Sequence, residues 1–229
     1  MFAQNVVHLC EGDTAQNFAV PLTNGSTYNW TITPNIATIT SGNGTEHILI
    51  DLNSTGMFWL HVLEIDVNMC TAKDSILVEV HSIPVPSIYS VGNTEFCEGS
   101  FVTLVSDSMY YSLIWSNGIN TQSVDIYNNG NYFVVVADTN GCLNISNSIS
   151  VQIHPNPEAH FWIDGVCFES ETNFIDSSVI SSDVIVSWIW DLGDGSYASG
   201  PAVSHWYNST DVFDGITFND IIFILNSSR

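Results

Sequence analysis

The chain repeats itself, and the repeat limits its fold more than any other feature. Leu9-Cys10-Glu11-Gly12 returns as Phe96-Cys97-Glu98-Gly99. A tryptophan follows each, Trp30 twenty residues after Cys10 and Trp115 eighteen after Cys97. Gly56-Met57-Phe58-Trp59-Leu60-His61-Val62 then matches Gly130-Asn131-Tyr132-Phe133-Val134-Val135-Val136. Each leads to a second cysteine, Cys70 or Cys142. An alternating run comes next, Ser75-Ile76-Leu77-Val78-Glu79-Val80 or Ser148-Ile149-Ser150-Val151-Gln152-Ile153. Pro84-Val85-Pro86 and Pro155-Asn156-Pro157 close the two units, with Pro84 and Pro155 71 residues apart. A period of that size is one small β domain, and 229 residues hold three. The limits read from the sequence are 5–83, 87–154 and 158–229.

Nearly every local signal is strand. Ser123-Val124-Asp125-Ile126 and Thr38-Ile39-Thr40 alternate with period two, and 46–52 has β character. Asn128-Asn129-Gly130, Ser41-Gly42-Asn43-Gly44 and Asn140-Gly141 supply turn chemistry. No segment reads as a capped amphipathic helix. The expected fold is all-β: a β-sandwich in each module. Proline joints stiffen the linkers, so the expected arrangement is an elongated rod.

Matching places in the repeat predict two disulfides, Cys10–Cys70 and Cys97–Cys142. They close 60 and 45 residues, worth ~4 kcal/mol each on the chain-entropy model. No C-x-x-C pair occurs, which removes the zinc-ribbon and thioredoxin readings. Disulfides place the chain in an oxidising compartment, extracellular or at the cell surface. The alternative is five buried thiols packed as small hydrophobes. Trp30 and Trp115 read as core.

Charge narrows function further. Twenty-four acids face two bases, Lys73 and Arg229, for a net charge of −22. Such a chain repels phosphate backbones and anionic lipid, so no nucleic-acid partner is expected. No apolar run reaches the ~18 residues of a membrane span, so no membrane insertion is expected. The chain opens without a signal-type n-region and h-region; Met1-Phe2-Ala3-Gln4 reads as the end of a signal peptide cleaved after Ala3, or as a plain start.

The third module carries its own signature, Trp188-Ile189-Trp190-Asp191-Leu192-Gly193-Asp194-Gly195-Ser196 followed by His205-Trp206-Tyr207. On these residues it resembles a PKD (polycystic kidney disease) domain, W-D-F/L-G-D-G-S then H-x-Y. Phe213 stands where that family has Tyr, and Asp211 replaces a Gly. Beyond Phe213 the match ends: Gly215 and Asn219-Asp220 interrupt the closing strand, and Cys167 has no second cysteine in its module. The third module is therefore expected to be incomplete or to have an irregular last strand, with residues beyond about 208 weakly protected or held by another chain. Modules one and two, with C-E-G…W…G-x-Y…G-C and a terminal P-x-P, resemble Ig-like repeats found beside PKD domains in secreted Bacteroidota proteins. Module one lacks the Gly before Cys70. The resemblance implies three tandem Ig-like β-sandwiches in type IX secretion cargo or a gliding-motility-type adhesin.

No G-x-S-x-G, H-E-x-x-H, P-loop or dinucleotide fingerprint is present, so no enzyme is expected. Seven histidines lie scattered, none paired at tight ligand spacing. Eleven of the 24 acids lie beyond residue 156. Among them Asp183, Asp191 and Asp194 offer hard oxygens to calcium, and no other cofactor is expected. The plainer reading is a solvated acidic face, with Asp191 and Asp194 serving their own turn. Thr14, Ser75 and Ser108 fit the short D-S/T-apolar O-glycosylation pattern of Bacteroidota. Trp59, Trp162 and Trp206 are extra to the core tryptophans and read either as buried packing or as glycan-stacking rings.

The first expectation for function is a structural or adhesive stalk that meets other cell-surface proteins or polysaccharide. A second is a carbohydrate-binding accessory region of a secreted polysaccharide hydrolase. A third is self-association into a surface filament by strand exchange at the incomplete third module.

Overall fold

A computed structural model describes residues 6–164, 171–182, 184–207 and 222–227. Every regular element among them is a β-strand. Among the described residues no helix is long and apolar enough to cross a membrane. The architecture is tandem Ig-like β-sandwiches, as the alternation of apolar residues requires.

The first repeat contains β1 (Val7–Cys10), β2 (Gln16–Ala19), β3 (Thr27–Thr33), β4 (Ala37–Ser41), β5 (His47–Leu52), β6 (Gly56–Ile65) and β7 (Thr71–His81). One sheet runs β1-β7-β6-β3 and the other β2-β5-β4. Period-two alternation turns Ile48, Ile50 and Leu52 of β5 toward Phe58, Leu60 and Val62 of β6, and all are buried in one cluster. Each such side chain contributes about 1.5–3 kcal/mol relative to exposure.

The second repeat contains β8 (Ile88–Val91), β9 (Glu95–Cys97), β10 (Val102–Ser106), β11 (Ser112–Trp115), β12 (Ser123–Ile126), β13 (Gly130–Tyr132), β14 (Val134–Ala137), β15 (Leu143–Ile145) and β16 (Ile149–His154). Its sheets are β12-β10-β8, β11-β14-β15 and β13-β16-β9. The third repeat contains β17 (Phe161–Asp164), β18 (Glu171–Asp176), β19 (Ile185–Asp191), β20 (Tyr197–Ser199), β21 (Ala202–Trp206) and β22 (Ile222–Ser227), in sheets β17-β18-β21 and β20-β19-β22. Two compact units result. One holds Met1–Tyr89, Leu104–Val124 and Tyr132–Ile149; the other holds Ser90–Thr103, Asp125–Asn131 and Ser150–Arg229.

Three tryptophans mark the three repeats. Trp30, Trp115 and Trp190 are all buried. Each indole N–H donates to a later backbone carbonyl: Thr45 at 2.9 Å, Thr121 at 2.8 Å and Gly200 at 2.8 Å. The polar tip is satisfied, so the large ring can lie wholly inside.

The C-E-G motif is a turn that follows a parallel strand pair. β1 pairs parallel with β7, Cys10 opposite His81, and β9 pairs parallel with β16, Cys97 opposite His154. The Glu11 and Glu98 amides donate to those histidines' carbonyls at 2.8 and 2.7 Å, so both turns attach to the last strand. Gly12 and Gly99 stand at φ +85° and +94°, where an L side chain is strained.

This geometry overturns the expected cystine pairing. Cys10 sits opposite His81, at the C-terminal end of β7, whereas Cys70 precedes the N-terminal end of that strand. Eleven residues of strand between those ends span roughly 37 Å, and a disulfide needs Cα atoms within about 7 Å. Cys10 is instead bonded to Cys142, with Cα atoms 5.6 Å apart. Cys70 and Cys97 are free thiols, so the Cys97–Cys142 pair is also corrected. The bond fastens the first repeat to the loop before β15.

Of the segment beyond 208 that is expected to be weakly protected or held by another chain, the structure describes 222–227. β22 pairs antiparallel with β19, Trp188 opposite Leu225 and Trp190 opposite Phe223. The β19 edge that an incomplete module would expose is paired within the chain. Cys167, Phe213 and the 216–218 segment lie outside the described residues, as does Asp183.

Candidate functional site

The outer face of sheet β17-β18-β21 gathers two of the three singled-out tryptophans. Phe161-Trp162-Ile163-Asp164 alternates, so Phe161 and Ile163 pack on the core of Phe174, Trp190 and Leu192. Trp162 and Asp164 therefore point the other way. Register carries that side across the sheet. Trp162 lies opposite Ile175, which lies opposite Ala202. Asp164 lies opposite Asn173, which lies opposite Ser204, and Glu171 lies opposite Trp206.

The face is thus three rows. A polar row, Asp164-Asn173-Ser204, lies between a row begun by Trp162 and a row ended by Trp206. The two indoles are 50% and 49% exposed. Four residues along β18 and two strand spacings put their Cα atoms about 17 Å apart on a diagonal. In the polar row the Ser204 hydroxyl donates to Asn173 Oδ1 at 2.6 Å. That bond fixes the amide plane and leaves its NH2 as a donor. Two flat apolar rings flanking a row of carboxylate, amide and hydroxyl suit a sugar, whose ring face is apolar C–H and whose hydroxyls lie at the rim.

The sheet beneath is held firmly. Phe161, Phe174 and Trp190 rings pack with centroids 5.5–6.5 Å apart. At the end of β18, Asp176 accepts from Trp188 Nε1 and from the Ser178 amide, each at 2.9 Å. Burial pushes the Asp176 carboxyl up, and the Ser178 and Trp188 donors outweigh it, holding it below the ordinary range.

The W-D-L-G-D-G-S signature is a turn. Asp191 accepts from the Gly193 amide at 3.2 Å and Asp194 from the Ser196 amide at 2.9 Å. Asp194 also meets His205 Nε2 at 2.7 Å, and Tyr207 donates to the Leu192 carbonyl at 3.0 Å. Burial works to raise the Asp194 carboxyl, but the His205 and Ser196 hydrogen bonds leave it lowered. Two of the three aspartates considered for calcium, Asp191 and Asp194, are therefore engaged by their own turn, and the third, Asp183, lies outside the described residues.

The remaining candidates are dispersed. Trp59 lies on β6, 45% exposed and stacked on His61 with centroids 6.3 Å apart. Thr14 and Ser108 are in exposed loops, whereas Ser75 is half-buried within β7. Asp164, Asn173 and Ser204 were not singled out in the sequence. Their alternation with Ile163, Phe174 and Val203 was the signal that places them beside the tryptophans. The parallel β1–β7 pair also unites His8, Glu79 and His81, which no local spacing reveals: their ligand atoms all lie within 4.8 Å.

Residues 143–214 match the PKD domain family, and residues 3–80 match a PKD-like domain family. No curated protein matches the chain in sequence. Among solved structures, the chain is similar to the Bacteroides ovatus mixed-linkage glucan utilization locus SGBP-B in complex with a mixed-linkage heptasaccharide. That match has 15% identity, 90% of this chain, 57% of that chain and a TM-score of 0.30. The chain therefore spans 57% of that protein's length. It is similar to the Clostridium thermocellum CbhA fibronectin(III)-like modules at 12% identity, 65% of this chain, 90% of that one and a TM-score of 0.32. The mouse nectin-like molecule 4 ectodomain (Ig1–Ig3) gives 11%, 87%, 86% and 0.37. The fold assignment rests on the strand order and cores described above.

Proposed function

We propose that this chain is a non-catalytic, polysaccharide-binding adhesive region of an extracellular or cell-surface protein. The glycan lies across the outer face of β17-β18-β21. One observation carries the reading: Trp162 and Trp206, half exposed, flank the row Asp164-Asn173-Ser204 on one sheet face. Tryptophan is an expensive residue to leave in water, so two on one face point to a ligand that covers them. With the rings about 17 Å apart, the ligand is an oligosaccharide or polymer rather than a single sugar. The net charge of −22 favours a neutral glycan over an anionic one. The Cys10–Cys142 bond supports a stalk role for the first two repeats by tying one to the other. The repeat resemblance favours a Bacteroidota protein exported by type IX secretion. The test is electrophoresis through gels containing neutral β-glucans, mannans or xylans. One polymer should retard the chain, and Trp162→Ala with Trp206→Ala should abolish the retardation while Trp59→Ala leaves it. Retardation by none, or retardation indifferent to both substitutions, refutes the proposal.

A further inference from the structure

We propose that His8, Glu79 and His81 form a zinc site on the outer face of the first repeat's larger sheet. The parallel register puts His8 opposite Glu79 and Cys10 opposite His81, so all three side chains share one face at the β1 edge. His8 Nδ1 lies 2.9 Å from His81 Nε2 and 3.3 Å from Glu79 Oε2, and His81 Nε2 lies 3.9 Å from that oxygen. A tetrahedral zinc with bonds of about 2.0–2.1 Å sets its ligand atoms about 3.3 Å apart. The three spacings straddle that value, so shifts of about half an ångström seat the ion. Two imidazoles and one carboxylate are a zinc donor set, borderline in softness and unsuited to calcium.

Solvent access fits three protein ligands and one water. The His81 side chain is only 16% exposed and anchors the site, while His8 is 55% exposed and leaves one side open. The second repeat supplies an internal contrast. Its β9–β16 pair has the same register, and the three equivalent positions hold Glu95, Gln152 and His154. Glu95 and His154 meet at 2.8 Å, but the carboxylate of Glu79 has become an amide and one imidazole is gone. Among the described residues one such zinc site follows. Bound there, the ion clips edge strand β1 to β7 beside the Cys10–Cys142 bond.

The experiment titrates the metal-stripped full chain with zinc chloride by calorimetry. The expected result is one zinc per chain, no heat with calcium chloride, and a thermal midpoint that rises with zinc. His8→Gln and Glu79→Gln, both on exposed or half-buried side chains, should weaken zinc at least tenfold and remove the midpoint rise. Their zinc-free midpoints should match the parent, which shows that they fold. Glu95→Gln should leave zinc binding unchanged. No zinc heat at millimolar metal, two ions per chain, or undiminished binding in His8→Gln with Glu79→Gln overturns the proposal.

Discussion

Replacing Met69 by glycine should stabilise the first repeat. The D-x-N-x-C loop occurs twice, at 66–70 and 138–142. Asp66 Oδ1 accepts from the Asn68 and Cys70 amides at 2.8 and 2.7 Å. Asp138 Oδ1 accepts from the Asn140 and Cys142 amides, each at 2.9 Å. The fourth loop residue donates its amide to the first residue's carbonyl in both copies, Met69 at 3.0 Å and Gly141 at 3.2 Å. That geometry forces a positive φ, +66° at Met69 and +87° at Gly141. A side chain there costs about 1–2 kcal/mol. Glycine returns about 0.5–1 kcal/mol of that through its floppier unfolded chain. Met69 is 78% exposed, so its removal forfeits little packing. Met69→Gly should therefore gain about 0.5–1 kcal/mol. A Cβ at Gly141 would meet no heavy atom within 4 Å, so Gly141→Ala should lose a similar amount for conformational reasons alone. Urea unfolding reads both, as midpoint shifts at constant slope. Met69→Ala, which keeps the Cβ, is the control and should gain nothing. A neutral or destabilising Met69→Gly, or an equal gain in Met69→Ala, refutes the backbone argument.

Non-reducing peptide mapping should join Cys10 to Cys142, and Cys10→Ser should cost up to about 5 kcal/mol for a loop of 132 residues; a Cys10–Cys70 peptide would contradict the fold. Tyr207→Phe removes the hydroxyl that bonds the Leu192 carbonyl and should cost about 1 kcal/mol in chemical denaturation; an unchanged midpoint would detach H-x-Y from the signature turn. Asp176 and Asp194 have folded-state pKa values below their unfolded ones. Their stabilisation is therefore fully present above the unfolded value of about 4 and lost as pH falls through the folded values. Asp176→Asn should flatten the acid limb of a stability profile below about pH 4, and an unaltered limb would show that this carboxylate does not contribute.

The fold was legible because its signals are local and repeated. Alternation in 75–80 and 123–126 placed strands β7 and β12, and the spacing from cysteine to tryptophan placed a buried Trp30 and Trp115. Cystine pairing was not legible, because symmetry between repeats says nothing about strand direction. The parallel β1–β7 pair sends Cys10 to the far end of the strand from Cys70. The absent glycine before Cys70 was visible as a departure, and the structure shows its consequence in Met69. The proposed glycan face was half legible. Trp162 and Trp206 stood out as extra tryptophans, but Asn173 and Ser204 join them only through the register of β18. His8 and His81 are 73 residues apart and meet only through pairing.

The proposed glycan site runs along the Trp162–Trp206 diagonal of the outer β17-β18-β21 face. Calorimetric titration with a size series of oligosaccharides from the polymer that retards the chain tests it most directly. Affinity should be negligible for the monosaccharide, rise until the chain bridges both rings, and then level off. Each single alanine substitution, Trp162→Ala or Trp206→Ala, should lower the plateau affinity about tenfold, roughly 1.4 kcal/mol. Full affinity for a monosaccharide, or a size dependence that survives both substitutions, would contradict it.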